Sequence, residues 1–160
     1  MHSLGDFMPE ITRAADTFTS MLHAIDAKDW ETVRMAFADR MTMDYSSLFG
    51  VPSATVDGDA QVAEWRAFAS AFDVTQHITG PIVLTPSSDG ATAQTHVRAY
   101  HRIKGAPGGD IWMVAGHYTV RLMPVQGIWK IAGITLTVFY QEGNAAIPDL
   151  ARARAGTTTR

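Results

Sequence analysis

From Pro9 to Ile25 the apolar residues Ile11, Ala14, Ala15, Phe18, Met21, Leu22 and Ile25 return every three or four positions. That spacing predicts an amphipathic helix with Pro9 in its first turn. A break at Asp26-Ala27-Lys28 follows, and Trp30, Val33 and Phe37 mark a second, shorter helix. Met41, Met43 and Tyr45 alternate with Thr42 and Asp44, the period of a strand. Ser46 to Asp57, with Gly50, Pro52 and Ser53, reads as a loop. Asp57 or Asp59 is placed to cap a third helix that shows Val62, Trp65, Phe68 and Phe72 on one face.

Everything after that helix has the pattern of β structure. Val74 to Thr85 predicts one strand, kinked at Gly80-Pro81, and Pro86 to Gly90 a turn. Ala91 to Lys104 is a long strand, Gly105 to Asp110 a hairpin, Ile111 to Met123 the next strand and Val125-Gln126-Gly127 another turn. Ile128 to Tyr140 closes the sheet. The fold class is therefore α+β, with N-terminal helices packed on the concave side of a curved, mainly antiparallel sheet. The expected organisation is a flexible N-terminus over 1–8, a single domain over 9–142 and a tail over 143–160. That tail holds a short helix around Asp149 to Arg154 and disorder from Gly156 onward. A curved sheet of this kind leaves a void at its wide end, and its convex face offers a surface for a second subunit, as dimer or trimer.

Alternation assigns the faces of the long strands. Ala91, Ala93, Thr95, Val97, Ala99, His101 and Ile103 share the apolar face of one, which sets His101 among apolar neighbours and His96 toward solvent. Trp112, Val114, Gly116, Tyr118, Val120 and Leu122 share the apolar face of the next, which turns His117, Thr119 and Arg121 outward. In the last strand Ile134, Leu136 and Val138 oppose Thr135, Thr137 and Phe139, and the pattern does not choose between the two faces. Nor does it fix the direction of His77 in Thr75-Gln76-His77-Ile78-Thr79. Asp26 ends a strongly apolar helix, where the helix dipole favours cations. An acid there calls for another partner, and a buried imidazole is a suitable one.

Composition narrows the chemistry. The 160 residues are 46% apolar, enough for one core, and the formal charge of −3 is spread without a basic patch for nucleic acid. No apolar run of about 18 residues predicts a membrane span, and the N-terminus has no signal-peptide pattern, so a soluble cytoplasmic protein is expected. Cysteine is absent, which removes thiolate catalysis and Cys-ligated metals. No H-x-H or H-x-x-x-H spacing, dinucleotide fingerprint or phosphate-binding loop occurs. Cofactor-free catalysis is the simplest expectation.

Several strings, in order, resemble scytalone dehydratase and the wider SnoaL-like branch of the nuclear transport factor 2-like superfamily, over roughly Ala15 to Glu142. Ile25-Asp26-Ala27-Lys28-Asp29-Trp30 is similar to the helix end that carries the dehydratase's catalytic aspartate. Met43-Asp44-Tyr45 is similar to its strand with a catalytic tyrosine, Thr75-Gln76-His77 to the segment with its first catalytic histidine, and Val97-Arg98-Ala99-Tyr100-His101 to the strand with its second. Gly116-His117 and Gly127 to Gly133 match framework strings. The resemblance implies a cone-shaped fold with an enclosed pocket, in which Asp26 orients His77, His101 is a second acid–base group and Tyr45 binds substrate or water. It also departs from the dehydratase. A tyrosine that precedes the aspartate there is Ile25 here, and two polar substrate contacts correspond to Val120 and Leu122.

A histidine suits general base work because its ordinary pKa lies near working pH, and a carboxylate on one ring nitrogen fixes the tautomer and stabilises the imidazolium. The expected reaction is an elimination on a small hydrophobic cyclic or polyketide-like substrate, with His77, Asp26, His101 and Tyr45 as its catalytic groups. Ile25, Phe49, Trp65, Phe68, Val97, Trp112, Tyr118, Val120, Leu122 and Leu136 are the expected pocket wall. Met21, Met35, Met41, Met43 and Phe72 are expected in the core or that wall. His77–Asp26 equally fits a structural hydrogen bond, and His101 a core histidine. An isomerase or cyclase, a ligand carrier and a dimerisation module are the rival functions.

Overall fold

A computed structural model describes the backbone of residues 4–157 and the side chains of residues 11–156. In chain order the elements are α1 (Leu4–Ala27), α2 (Trp30–Ala36), β1 (Phe37–Asp44), α3 (Ser46–Phe49), β2 (Ala54–Asp57) and α4 (Gly58–Ala69). β3 (Val74–Thr79), β4 (Val83–Ser87), β5 (Gly90–Arg102), β6 (Ile111–Val125), β7 (Ile128–Gly143) and α5 (Ile147–Thr157) follow. The strands form one sheet in the order β2-β1-β7-β6-β5-β3, and β4 also pairs with β5. β1 runs parallel to β7 and the remaining pairs are antiparallel. Helices on one face of a mixed, open sheet make the α+β arrangement.

The helix that the apolar stripe starts at Pro9 begins at Leu4. Of the segment expected to be flexible, residues 1–3 lie outside the described residues and the rest is helix. Phe37 opens β1 instead of closing α2, and Tyr45 lies one residue past the end of β1. The Ser46–Asp57 stretch is more ordered than a loop. One turn of helix ends at Gly50, whose φ of +70° suits a residue without a side chain, and β2 then pairs with β1 as an edge strand. β2 is mostly exposed, so no burial alternation betrays it.

Val74 to Thr85 is two strands. Gly80-Pro81 interrupts it, and the halves pair with different parts of β5: Thr79 opposite Val97, Val83 opposite Gln94. α5 is longer than the tail pattern suggests, and Ile147 and Ala151, both wholly buried, anchor it. Residues 158–160 lie outside the described part. Met35 is exposed, away from the core in which it was expected, on a short helix whose buried face is carried by Val33. Phe72 lies beyond α4 yet is buried with Phe18, Phe37, Met21, Met41 and Ile131 in a single core between helices and sheet.

On β7, Ile134 and Leu136 are buried while Thr137 and Phe139 are exposed, which settles the face that alternation left open. Between Ala115 and Gly116 the β6–β7 register shifts by a bulge. There a Cβ on Gly116 would lie 2.3 Å from the Thr137 carbonyl oxygen. No helix among the described residues is long and apolar enough to cross a membrane.

Candidate active site

The inner face of the sheet and the helices above it enclose a cavity of about 600 Å3, within the usual range for small-molecule sites. Its wall is mainly apolar, with polar side chains from Tyr45, Gln61, Glu64, Thr75, His77, His101, Tyr118 and Arg152. The position of Asp26 follows from how α1 stops. Lys28 adopts the left-handed region at φ +58°, its N–H bonds to Ile25 O at 3.0 Å, and Asp29 N–H bonds to Ala24 O at 2.8 Å. These are the two bonds of a Schellman ending, and they hold Asp26 in the last turn. Lys28 Nζ donates to Phe72 O at 2.8 Å, tying this corner to the segment that leads into β3.

On β3, Thr75 and His77 are two residues apart and share the inner face. The Asp26 carboxylate lies along them. Thr75 Oγ1 donates to Oδ1 at 3.0 Å, the His77 backbone N–H to Oδ2 at 2.8 Å, and the ring Nδ1–H to Oδ1 at 2.7 Å. Burial pushes the Asp26 carboxyl up, but the ring hydrogen bond and charge of His77, with the other two donors, outweigh it and hold the pKa below 3.8. Asp26 is thus a carboxylate at neutral pH. A carboxylate partner makes Nδ1 the protonated nitrogen of neutral His77, so Nε2 carries the lone pair. The side chain of His77 is 10% exposed, so that lone pair sits in a largely dry site.

His101 faces the same space from β5, where it pairs with Thr75. Its ring lies 4.5 Å from Trp112, 5.0 Å from Phe72 and 6.2 Å from His77, centroid to centroid. Its buried Nδ1 has no hydrogen-bond partner. Burial first, and then the charge that His77 can carry, pull its pKa down to about 3. It is a neutral imidazole, unable to serve as an imidazolium acid at neutral pH. Tyr45, at the cap of α3, meets Trp65 edge-on at 6.0 Å, and its hydroxyl pairs with that of Tyr118 on β6. Burial raises the pKa of both, Tyr118 to about 12 with a further push from the Asp26 charge, so both stay protonated donors.

The structure brings His77, His101 and Tyr45, with Ile25, Phe49, Trp65, Phe68, Trp112, Tyr118 and Leu136, into the wall of this cavity, and sets Asp26 against His77. Val97, Val120 and Leu122 are not part of the wall. They are 3%, 0% and 1% exposed in the packed core, opposite Gly116, Ala93 and Ala91. Alternation gives the face a residue shares but not how far along the strand the void extends. Thr75 and the Tyr45–Tyr118 pairing were missed. The i, i+2 spacing to His77 was a signal for the first, and nothing local signals the second. His23 is exposed, and His96 and His117 pair on the outer face 5.7 Å apart. Among the described residues no group of three or more His, Asp or Glu side chains has the arrangement of a metal site.

A family described as the SnoaL-like domain matches residues 8–135. A dehydratase of Pestalotiopsis microspora is 26% identical over 146 residues, 82% of this chain and 92% of its own. A protein of Kribbella flavida superposes with a TM-score of 0.82 at 30% identity, covering 91% of this chain and 98% of that one. The hexachlorocyclohexane dehydrochlorinase LinA-type3 of Novosphingobium barchaimii superposes with a TM-score of 0.74 at 15% identity, covering 89% and 95%.

Proposed function

The chain belongs to the SnoaL-like domain family, and from that premise we propose that it is a lyase that eliminates water, or a comparable leaving group, from a small hydrophobic cyclic or polyketide-like substrate. The observation that carries this reading is the Asp26–His77 bond of 2.7 Å at the wall of an apolar cavity, with the unprotonated nitrogen of His77 left to act. His77 Nε2 takes a proton from a carbon next to a carbonyl, and Asp26 stabilises the imidazolium that forms. The C–H electron pair becomes the new double bond as the leaving oxygen departs. That oxygen collects the proton from His77 and leaves as water, so the base ends the cycle as it began.

The Tyr118 hydroxyl, which accepts from Tyr45, donates to the carbonyl oxygen as it gains enolate charge. His101 contributes as a neutral ring beside the reacting groups. The names of the dehydratase and the dehydrochlorinase support elimination, and the cavity's apolar wall supports a hydrophobic substrate.

The test is mass-spectrometric turnover with a panel of hydroxylated cyclic ketones, comparing wild type with His77→Gln and Asp26→Asn. Loss of water from a substrate with wild type, and a fall of about 10³-fold or more in either variant, is the expected result. An isomer of unchanged mass would transfer the same base and oxyanion pair to an isomerase. Ligand binding with no chemistry in any protein would make the pocket a carrier's.

A further inference from the structure

α5 contributes a cation to the cavity wall, away from the base. Arg152 lines the cavity wall and lies over the rings of Phe49 and Phe68, with its guanidinium carbon 5.4 and 5.7 Å from their centroids. A series of rings leads inward from it. Phe68 is 5.1 Å from Phe72, Phe72 5.0 Å from His101, and His101 6.2 Å from His77. Three rings, Phe68, Phe72 and His101, therefore stand in series between the guanidinium and the base.

The charge of Arg152 is only partly answered by the protein. Its ion pair is with Asp149 at 2.8 Å, through Nη1 alone, and the Asp149 side chain is 85% exposed. Glu64 on α4 also reaches the wall, but no ion pair joins it to Arg152. The planar guanidinium presents five donors in a fork that matches a carboxylate. The two rings hold its orientation before a ligand arrives and cost little entropy on binding.

We propose that Arg152 receives an acidic group of the substrate, a carboxylate or an acidic phenol oxygen, across this ring series from His77, so that the preferred substrates are hydrophobic ring acids. This assignment rests on the cavity being the substrate site. It fixes direction as well as affinity, because a ring acid anchored on Arg152 turns its other end toward the rings that lead to the base.

The test is calorimetric binding of 2-naphthoic acid and its neutral counterpart 2-naphthamide to the full-length protein. Wild type is expected to bind the acid about tenfold tighter than the amide, a charge-assisted bond discounted for half-exposure, with the advantage shrinking in high salt. Arg152→Gln is expected to bring the acid down to the amide's affinity while leaving the amide unchanged, and Arg152→Lys to keep part of the advantage. Asp149→Asn, which frees the guanidinium, is expected to tighten the acid further. Equal affinities for acid and amide in wild type, or an Arg152→Gln loss shared by both, overturn the assignment and leave the cavity reading intact. Failure of both probes to bind wild type overturns the assignment and the cavity reading together.

Discussion

Consider lowering the pH from 7 to 5. His101 carries a pKa of about 3 in the fold against an ordinary value of 6.5. At pH 5 the unfolded chain holds a proton there that the folded chain does not. The contribution of this group to stability is complete above pH 6.5 and declines as the pH falls below it. At pH 5, 1.5 pH units below the unfolded value, the deficit is about 2 kcal/mol at 1.36 kcal/mol per unit. The figure barely depends on the folded value, since any pKa below about 4 leaves the ring neutral at pH 5.

Two kcal/mol is a large share of a stability of about 5–15 kcal/mol. The assay is urea unfolding of wild type and His101→Leu at pH 7 and pH 5. Every other titrating group is common to both proteins, so the double difference isolates the ring. Wild type is expected to lose about 2 kcal/mol more than the variant between the two pH values. A double difference under about 0.5 kcal/mol would refute the reasoning, because it would mean that His101 is protonated or solvated within the fold.

Three other perturbations bear on separate features. Gly116→Ala places a methyl group 2.3 Å from a backbone oxygen in the β6–β7 bulge, and thermal denaturation is expected to show a loss of about 3 kcal/mol or more, or failure to fold. Asp57→Ala removes the cap that accepts from Ala60 N–H at 3.0 Å; urea unfolding is expected to show a loss of about 1 kcal/mol. Tyr118→Phe deletes a buried hydroxyl of the cavity wall and is expected to lower kcat about 10²-fold while near-UV circular dichroism stays native. An unchanged kcat would remove Tyr118 from the reaction.

The sequence carries the helices and the long strands because period and burial coincide there. Phe18, Met21 and Ile25 on α1, and Ala93, Val97 and Ala99 on β5, face the core as alternation and helical spacing require. Period fails where burial does. β2 is an exposed edge strand and α3 a single turn, so neither leaves a pattern that distinguishes it from a loop. The candidate site divides in the same way. Asp26 stood out because a carboxylate at a helix C-terminus is electrostatically out of place, and the structure puts His77 against it. The depth of the cavity is a property of the assembled sheet, so alternation placed Val120 and Leu122 on the right face but at the wrong level. Arg152 offered no signal, because only the docking of α5 brings it over Phe49 and Phe68.

The parallel pairing of β1 with β7 has a kinetic side. Met43 meets Ile134 and Asp44 meets Thr135, so the first strand of the chain waits for the last before its inner edge is satisfied. Closing a loop of that length adds entropy cost that only the completed sheet repays. During synthesis α1 and β1 leave the ribosome with no strand to pair against except the short edge strand β2. The pairings of the β5–β6–β7 meander are between neighbours in the chain, so it is expected to form before β1 docks along β7. Asp26 and His77 are likewise 51 residues apart in the chain, so their bond forms only once α1 has settled onto β3.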